Sequence, residues 1–123
     1  MHVVVIGLGG FAGAVARYAI DGWVSGLARG SFPWGTMVIN VSGSLLIGIL
    51  FALGSERALV PPDLRGPLMI GFIGAYTTFS TLALESWRLL EDGAWLMGAL
   101  NLGGSIALGL VAVLAGVLIG RAI

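Results

Sequence analysis

Residues Gly71–Thr81, with the sequence GFIGAYTTFST, decide the fold, because they place two glycines and four Ser or Thr residues at the centre of an apolar segment. Non-helical backbone at membrane depth is tolerated only where it is buried in protein or lines a wet cavity, and the carbonyls that it frees can coordinate a cation. The alternative is a straight helix whose hydroxyls bond back to its own carbonyls. Two glycines make that alternative less favourable. The stretch therefore predicts a membrane helix broken at mid-depth beside an ion site.

The composition around this stretch places the whole chain in a membrane. Of the 123 residues, 58% are hydrophobic and 10% are charged, whereas a soluble domain has roughly a quarter of its residues charged. A helix needs about 20 mostly apolar residues to cross the hydrocarbon layer. The chain is therefore predicted to be an all-α membrane protein with one domain, four transmembrane helices and short loops. The predicted spans are residues 3–19, 34–53, 68–84 (extending toward 90) and 95–119.

Charge and residue usage exclude several functional classes. The formal net charge is zero and there is no basic run, so the electrostatic attraction that nucleic-acid binding needs is missing. With no Cys and one His, neither a disulfide framework nor a Cys- or His-based metal cluster is possible. No carboxylate pair or activated nucleophile is visible. An enzyme is therefore not expected.

The arginines are balanced between the two ends of the predicted spans. If the four spans alternate in direction, each side of the membrane receives three of the six Arg residues. The Lys and Arg bias of short loops sets orientation, so a balanced count predicts dual topology and an antiparallel homodimer. An even split by chance is the alternative. One side carries Arg57, Arg65 and Arg121, and the other carries Arg17, Arg29 and Arg88.

Two spans carry polar stripes, which are costly in hydrocarbon unless paired or wetted. Thr36, Asn40 and Ser44 recur every four residues along the second span, and therefore share one helix face. Simple hydrogen bonding between helices is an alternative role for such residues. Uncharged donors without a mid-span carboxylate suit a permeant anion, because they replace hydration without holding the ion too tightly. The fourth span has a stripe of small and polar residues, namely Gly98, Asn101, Ser105, Gly109, Ala112 and Gly116.

The motifs resemble those of the Fluc (CrcB) family of small fluoride channels along the whole chain. The stretch containing Thr77–Thr81 is the most specific of them. The others are Gly9–Tyr18 (GGFAGAVARY), Gly35–Ser44 (GTMVINVSGS), Gly71–Gly74 (GFIG), and the pair Asn101 and Ser105.

The resemblance implies a function and an assembly. It implies a passive fluoride channel of the cell inner (plasma) membrane, built as a dual-topology homodimer with two antiparallel pores. It further implies a structural Na⁺ at the dimer interface, held by the backbone carbonyls of Gly74 and Thr77. Fluoride, a second copy of the chain and the lipid bilayer are then the expected partners.

The resemblance also assigns the pore residues. The family lines its pore with an Asn, here Asn40, and with two Phe ring edges. Phe79 matches the first ring, but Leu82 stands where the second is expected, and Tyr76 stands where many members have an apolar residue. Arg17 resembles the vestibule arginine of the family and Glu85 its acidic residue near the pore end. The full predicted pore set is Thr36, Asn40, Ser44, Thr78, Phe79, Ser80, Thr81, Leu82, Asn101 and Ser105.

Two other functions compete with the channel. A dual-topology, proton-coupled exporter of the small multidrug-resistance type also has four spans in a similar length. That family carries an essential Glu in its first span, where this chain has only Gly, Ala and other apolar residues before Arg17. A helix-packing subunit without transport activity would explain the glycines, but not the hydroxyl-rich break.

Overall fold

The computed structural model describes residues 2–123, and none of these residues forms a β-strand. The α-helices are α1 (His2–Leu27), α2 (Trp34–Phe51), α3 (Pro62–Arg65), α4 (Gly74–Tyr76), α5 (Phe79–Glu91) and α6 (Trp95–Ala122). Two π-helical segments, π1 (Ala52–Glu56) and π2 (Gly66–Ile73), continue α2 and α3 without a gap.

These elements combine into four helical units that are long and apolar enough to cross a membrane. The units are His2–Leu27, Trp34–Glu56, Pro62–Glu91 and Trp95–Ala122. The predicted all-helical, four-span architecture is thereby confirmed. Trp34 and Trp95 each begin a helix and are 46% and 68% exposed, which suits rings placed at a membrane interface.

The third unit is a composite of several helical types with an interruption in its middle. The chain leaves helical geometry at Thr77 (φ −80°, ψ 160°) and at Thr78 (φ −150°, ψ 120°). The side chain of Thr78 then caps α5 by accepting a hydrogen bond from the backbone N–H of Thr81 at 3.3 Å. Such a cap satisfies one of the free N–H groups at the start of a helix. The third unit is therefore two helical pieces joined by two extended residues.

Glycines bring the helix backbones into direct contact. A Cβ atom placed on Gly48 of α2 would lie 3.2 Å from Cα of Gly116 on α6 and closer still to the carbonyl oxygen of Val113. A Cβ on Gly13 of α1 would meet the carbonyl oxygen of Phe72 in π2. Membrane helices associate through such close packing because lipid provides no hydrophobic force between them. The bundle is thus held at α2–α6 and α1–π2.

The buried face of α6 follows the stripe that its sequence predicts, except that Gly109 is only half-buried and Gly120 extends the stripe by one turn. The large apolar side chains on its other faces, such as Leu110 (69% exposed), point outward. That arrangement suits a lipid environment, so the chain is a multi-pass membrane protein. The buried residues of α6 are Gly98, Asn101, Ser105, Ala112, Gly116 and Gly120.

Candidate functional site

A cleft of about 330 Å³ opens beside the interruption of the third unit. Helix α2, the residues around the break and the middle of α6 form its walls. Every side chain on these walls is uncharged in the part of the chain that the structure describes. The lining residues are Asn40, Gly43, Ser44, Ile47, Ile73, Thr77, Thr78, Phe79, Leu82, Ser105 and Ile106.

The side chain of Asn40 holds the break to α2. Its Nδ2 donates to the carbonyl oxygen of Thr78 at 2.9 Å, and its Oδ1 accepts from the backbone N–H of Thr78 at 2.8 Å. This pairing satisfies the backbone N–H of Thr78, which has no helical acceptor, and gives the carbonyl oxygen that begins α5 a second donor. An amide nitrogen carries two hydrogens, so one N–H of Asn40 remains for the cleft. Asn40 therefore braces the break and also lines the cleft.

The hydroxyl groups on the cleft wall differ in what they bind. Ser44 donates to the carbonyl oxygen of Asn40 at 2.7 Å, and Thr77 donates to that of Ile73 at 3.0 Å. Ser105 is 5% exposed, and its Oγ has no hydrogen-bond partner among residues 2–123. A buried polar group left unpaired costs about 1–3 kcal/mol. The hydroxyl of Ser105 is thus free to donate a hydrogen bond to an ion or molecule bound in the cleft.

Phe79 and Leu82 both lie on the wall of this cleft but differ in exposure. Phe79 begins α5 immediately after the break and is 74% exposed. Leu82, three residues later, is 4% exposed. The structure therefore places Phe79, which matches the family pattern, and Leu82, which departs from it, beside the same cleft.

Thr36 and Glu85 form a second polar site, outside the cleft. Thr36 is 2% exposed and donates through Oγ1 to Oε1 of Glu85 at 2.9 Å. The other carboxylate oxygen, Oε2, is buried and has no partner within the described residues. Glu85 also lines a smaller cavity of about 160 Å³ with Ser31, Arg88 and Asp92. The acidic residue thus lies near the start of α2, apart from Asn40 and Phe79.

Three other predicted pore residues, the predicted vestibule arginine and Gly74 of the predicted Na⁺ site do not line the cleft. Thr81 accepts a hydrogen bond from Oγ1 of Thr78 at 3.0 Å, and Ser80 is exposed. Asn101 is completely buried and donates to Oγ of Ser86 at 3.0 Å. Arg17 is half-buried on α1.

Some residues of the site were not expected from the sequence. Ser86 joins α5 to α6, because it accepts from Asn101 and donates to the carbonyl oxygen of Leu82 at 2.8 Å. It lies one helical turn beyond Leu82, and this spacing is the sequence signal that could have found it. Ile47, Ile73 and Ile106 carry no such signal, since apolar residues are common throughout the spans.

The fold and site together define a multi-pass helical membrane protein with an uncharged polar cleft at a broken helix, the features of a membrane pore. Residues 4–117 match the family described as CrcB-like protein, Camphor Resistance (CrcB). The chain belongs to this family, and the resemblance of its motifs is confirmed.

Curated relatives match the chain over nearly its whole length. A protein of Hahella chejuensis is 45% identical, covering 99% of this chain and 96% of the relative. A protein of Nitrosococcus oceani is also 45% identical, covering 96% of this chain and 94% of the relative. A protein of Magnetococcus marinus is 40% identical over the full length of both. Each of the three is named "Fluoride-specific ion channel FluC".

Proposed function

We propose that this protein is a channel that conducts fluoride passively across the cell inner membrane. The observation that carries the proposal is the uncharged polar cleft at the helix break. Its free donors, one N–H of Asn40 and the hydroxyl of Ser105, can replace the hydration of an anion without binding it too tightly for release. The ring edge of Phe79 adds a weakly positive surface. The names of the relatives support the choice of fluoride, and an ion-channel family is not a family of enzymes.

Fluoride efflux from liposomes that contain only the purified protein tests this function. We expect rapid efflux when the membrane potential is clamped by a potassium ionophore, because no coupling ion is needed. Empty liposomes give the baseline, and liposomes loaded with chloride test the selectivity. A pH gradient that drives fluoride uphill at a fixed stoichiometry would instead support a proton-coupled exporter.

The proposed functional unit is an antiparallel homodimer. Three arginines lie at one end of the bundle. Arg121 forms a bidentate ion pair with Glu56, with N–O distances of 2.6 and 2.7 Å. Arg57 donates to carbonyl oxygens in the last turn of α6, and Arg65 donates to the loop carbonyl oxygen of Val60. Of the other three arginines, Arg29 lies in the loop after α1, Arg88 lies in the last turn of α5, and Arg17 lies within α1. This balance supports insertion in both directions, which an antiparallel dimer requires.

Dual topology predicts that a tag at the C-terminus is found on both faces of the membrane. Two additional Arg residues within residues 28–33 should move most tags to one face, because the added charges bias those loops toward the cytoplasm. Accessibility of a C-terminal cysteine to a membrane-impermeant reagent measures the distribution. If every tag of the unmodified protein lies on one face, the antiparallel dimer is wrong.

The proposal includes a structural Na⁺ held by the carbonyls of Gly74 and Thr77. In a continuous helix these oxygens would accept from the backbone N–H groups of Thr78 and Thr81. Here the N–H of Thr78 donates to Asn40 and that of Thr81 donates to the Thr78 side chain. Both carbonyls lack their helical donor, so these residues fit a cation that prefers oxygen ligands. When bound, the ion would supply a positive charge shared between the two subunits.

Leu82→Phe tests whether the departure from the family pattern matters. The new ring would add a positive edge to the cleft wall beside Phe79. We expect fluoride binding or flux to rise about 2- to 10-fold, as for a single favourable aromatic contact. Efflux and fluoride titration of the purified dimer measure the change.

Two controls accompany this variant. Leu84→Phe makes the same replacement on α5 at a side chain that is 50% exposed and does not line the cleft, so its flux should not change. Because Leu82 is buried, overpacking can cost about 1–3 kcal/mol, and dimer integrity must be measured first. An intact Leu82→Phe dimer with unchanged flux and binding would show that residue 82 does not face the ion.

A further inference from the structure

Tyr76 ends α4 directly before the break and is 4% exposed. Its ring stacks on Phe72 with a centroid distance of 6.0 Å and an interplanar angle of 8°. Its hydroxyl oxygen lies 2.8 Å from Oγ of Ser42 on α2. Neither Tyr76 nor Ser42 lines the cleft. The hydroxyl therefore makes a contact between elements that is separate from the proposed ion path.

The direction of this hydrogen bond follows from the inventory of hydrogens. The hydroxyl of Ser42 donates to the carbonyl oxygen of Ile39 at 3.1 Å. A serine hydroxyl has a single hydrogen but can accept from other donors. Both contacts are satisfied together only when Tyr76 is the donor and Ser42 the acceptor. Removing the tyrosine hydroxyl leaves Ser42 with its bond to Ile39 intact.

Helix α2 now has three contacts with consecutive residues of the third unit. Ser42 binds Tyr76 before the break, and Asn40 binds Thr78 within it. Between these two, Gly43 leaves just enough space for the Thr77 methyl group, which a Cβ at residue 43 would strike. The contacts at Tyr76, Thr77 and Thr78 therefore fix the backbone at the break against α2.

We propose that Tyr76 is a positioning residue for the break, acting through its hydroxyl bond to Ser42. The bond fixes the last turn of α4 against α2, so that Thr77 and Thr78 leave the helix at a defined place. This inference rests on the proposed channel function and concerns a residue for which the family resemblance offers no role. The competing explanation is that Tyr76 only fills space, in which case a phenylalanine ring would serve equally well.

Tyr76→Phe separates these explanations, because it keeps the stacking on Phe72 and removes only the hydroxyl. A neutral hydrogen bond of this kind changes an equilibrium by about 3- to 10-fold. We expect the maximal rate of fluoride efflux to fall by that factor, while the fluoride concentration for half-maximal efflux stays unchanged. Ser42→Ala should give the same fall, and the double variant should be no worse than either single variant.

Tyr18→Phe is the matched control for these variants. The chain has two tyrosines, and Tyr18 is 84% exposed on α1, so its replacement should leave efflux unchanged. It also leaves Tyr76 as the only phenol for ultraviolet resonance Raman spectroscopy. The tyrosine Fermi doublet of this variant should report a hydrogen-bond donor, and it should change when Ser42→Ala is added.

Each outcome of these measurements decides one point. A doublet that Ser42→Ala does not alter overturns the hydrogen bond itself. Normal efflux in an intact Tyr76→Phe dimer overturns the positioning role, even if the bond exists. A higher half-maximal fluoride concentration with an unchanged maximal rate would make Tyr76 part of the ion path, which also contradicts the proposal. Unmodified protein that passes no fluoride overturns the proposed function, while the spectra still test the bond.

Discussion

Replacement of Asn40 by Asp is expected to reduce fluoride efflux by roughly 100-fold or more, while the proposed dimer persists. A carboxylate cannot donate, so the free N–H that faces the cleft is lost, and a hydrogen bond to a charged group contributes about 1.5–3 kcal/mol. The added negative charge also repels the anion in an uncharged cleft. In addition, one carboxylate oxygen must face the carbonyl oxygen of Thr78, which now accepts from Asn40. Efflux from liposomes and the mass of the purified protein in solution measure these effects.

Asn40→Ala is the comparison that separates charge from loss of the amide. It removes both hydrogen bonds to Thr78 but introduces no charge, so its flux should lie between those of the unmodified protein and the Asp variant. Normal flux in a folded Asn40→Asp variant would mean that the amide only joins α2 to the break and does not face fluoride.

Gly116→Ala should destabilise the protein by about 1–3 kcal/mol, the usual cost of inserting atoms into a tightly packed contact. The new methyl group would meet the carbonyl oxygen of Leu45 and would lie 3.0 Å from the nitrogen of Ile49 and 3.1 Å from Cα of Gly48. All three are backbone atoms, which cannot move aside as a flexible side chain can. Thermal unfolding of the detergent-solubilised protein, followed by circular dichroism, measures the loss.

Gly103→Ala is the matched control on the same helix. A Cβ on Gly103 has no heavy atom within 4 Å, and alanine favours a helix by up to about 1 kcal/mol over glycine. This variant should be as stable as the unmodified protein or slightly more stable. If Gly116→Ala unfolds at the same temperature as Gly103→Ala, the contact between α2 and α6 does not limit the stability of the protein.

The sequence predicted the helices and most of the buried stripe of α6 because both depend on residues that are close together in the chain. Apolar length alone defines a membrane helix, and small residues every three or four positions define a packing face. The interruption was also expected from its glycines and hydroxyls. Its location at Thr77 and Thr78 was not, since it depends on the bonds that Asn40 makes to the backbone of Thr78.

The pairing of polar side chains across the bundle could not be predicted. Thr36, Asn40 and Ser44 share one stripe, yet Thr36 binds Glu85 whereas the other two line the cleft. A long helix contacts several other elements along its length. The spacing of residues indicates which face of the helix they share, but not which residue of another element each one contacts. The partner of Tyr76 is unpredictable for the same reason, because Ser42 is 34 residues distant in sequence.

The Asn40–Thr78 pairing also has a consequence for the synthesis and folding of the protein. Because synthesis runs from the N-terminus, α2 is made before the third unit, which carries the partner of the Asn40 amide. An unpaired amide in hydrocarbon costs several kcal/mol, and this cost favours capture of the extended residues as soon as they arrive. Helix α6 is made last and packs against α2 and α5. The polar groups proposed to conduct fluoride therefore also favour the docking of the third unit against α2.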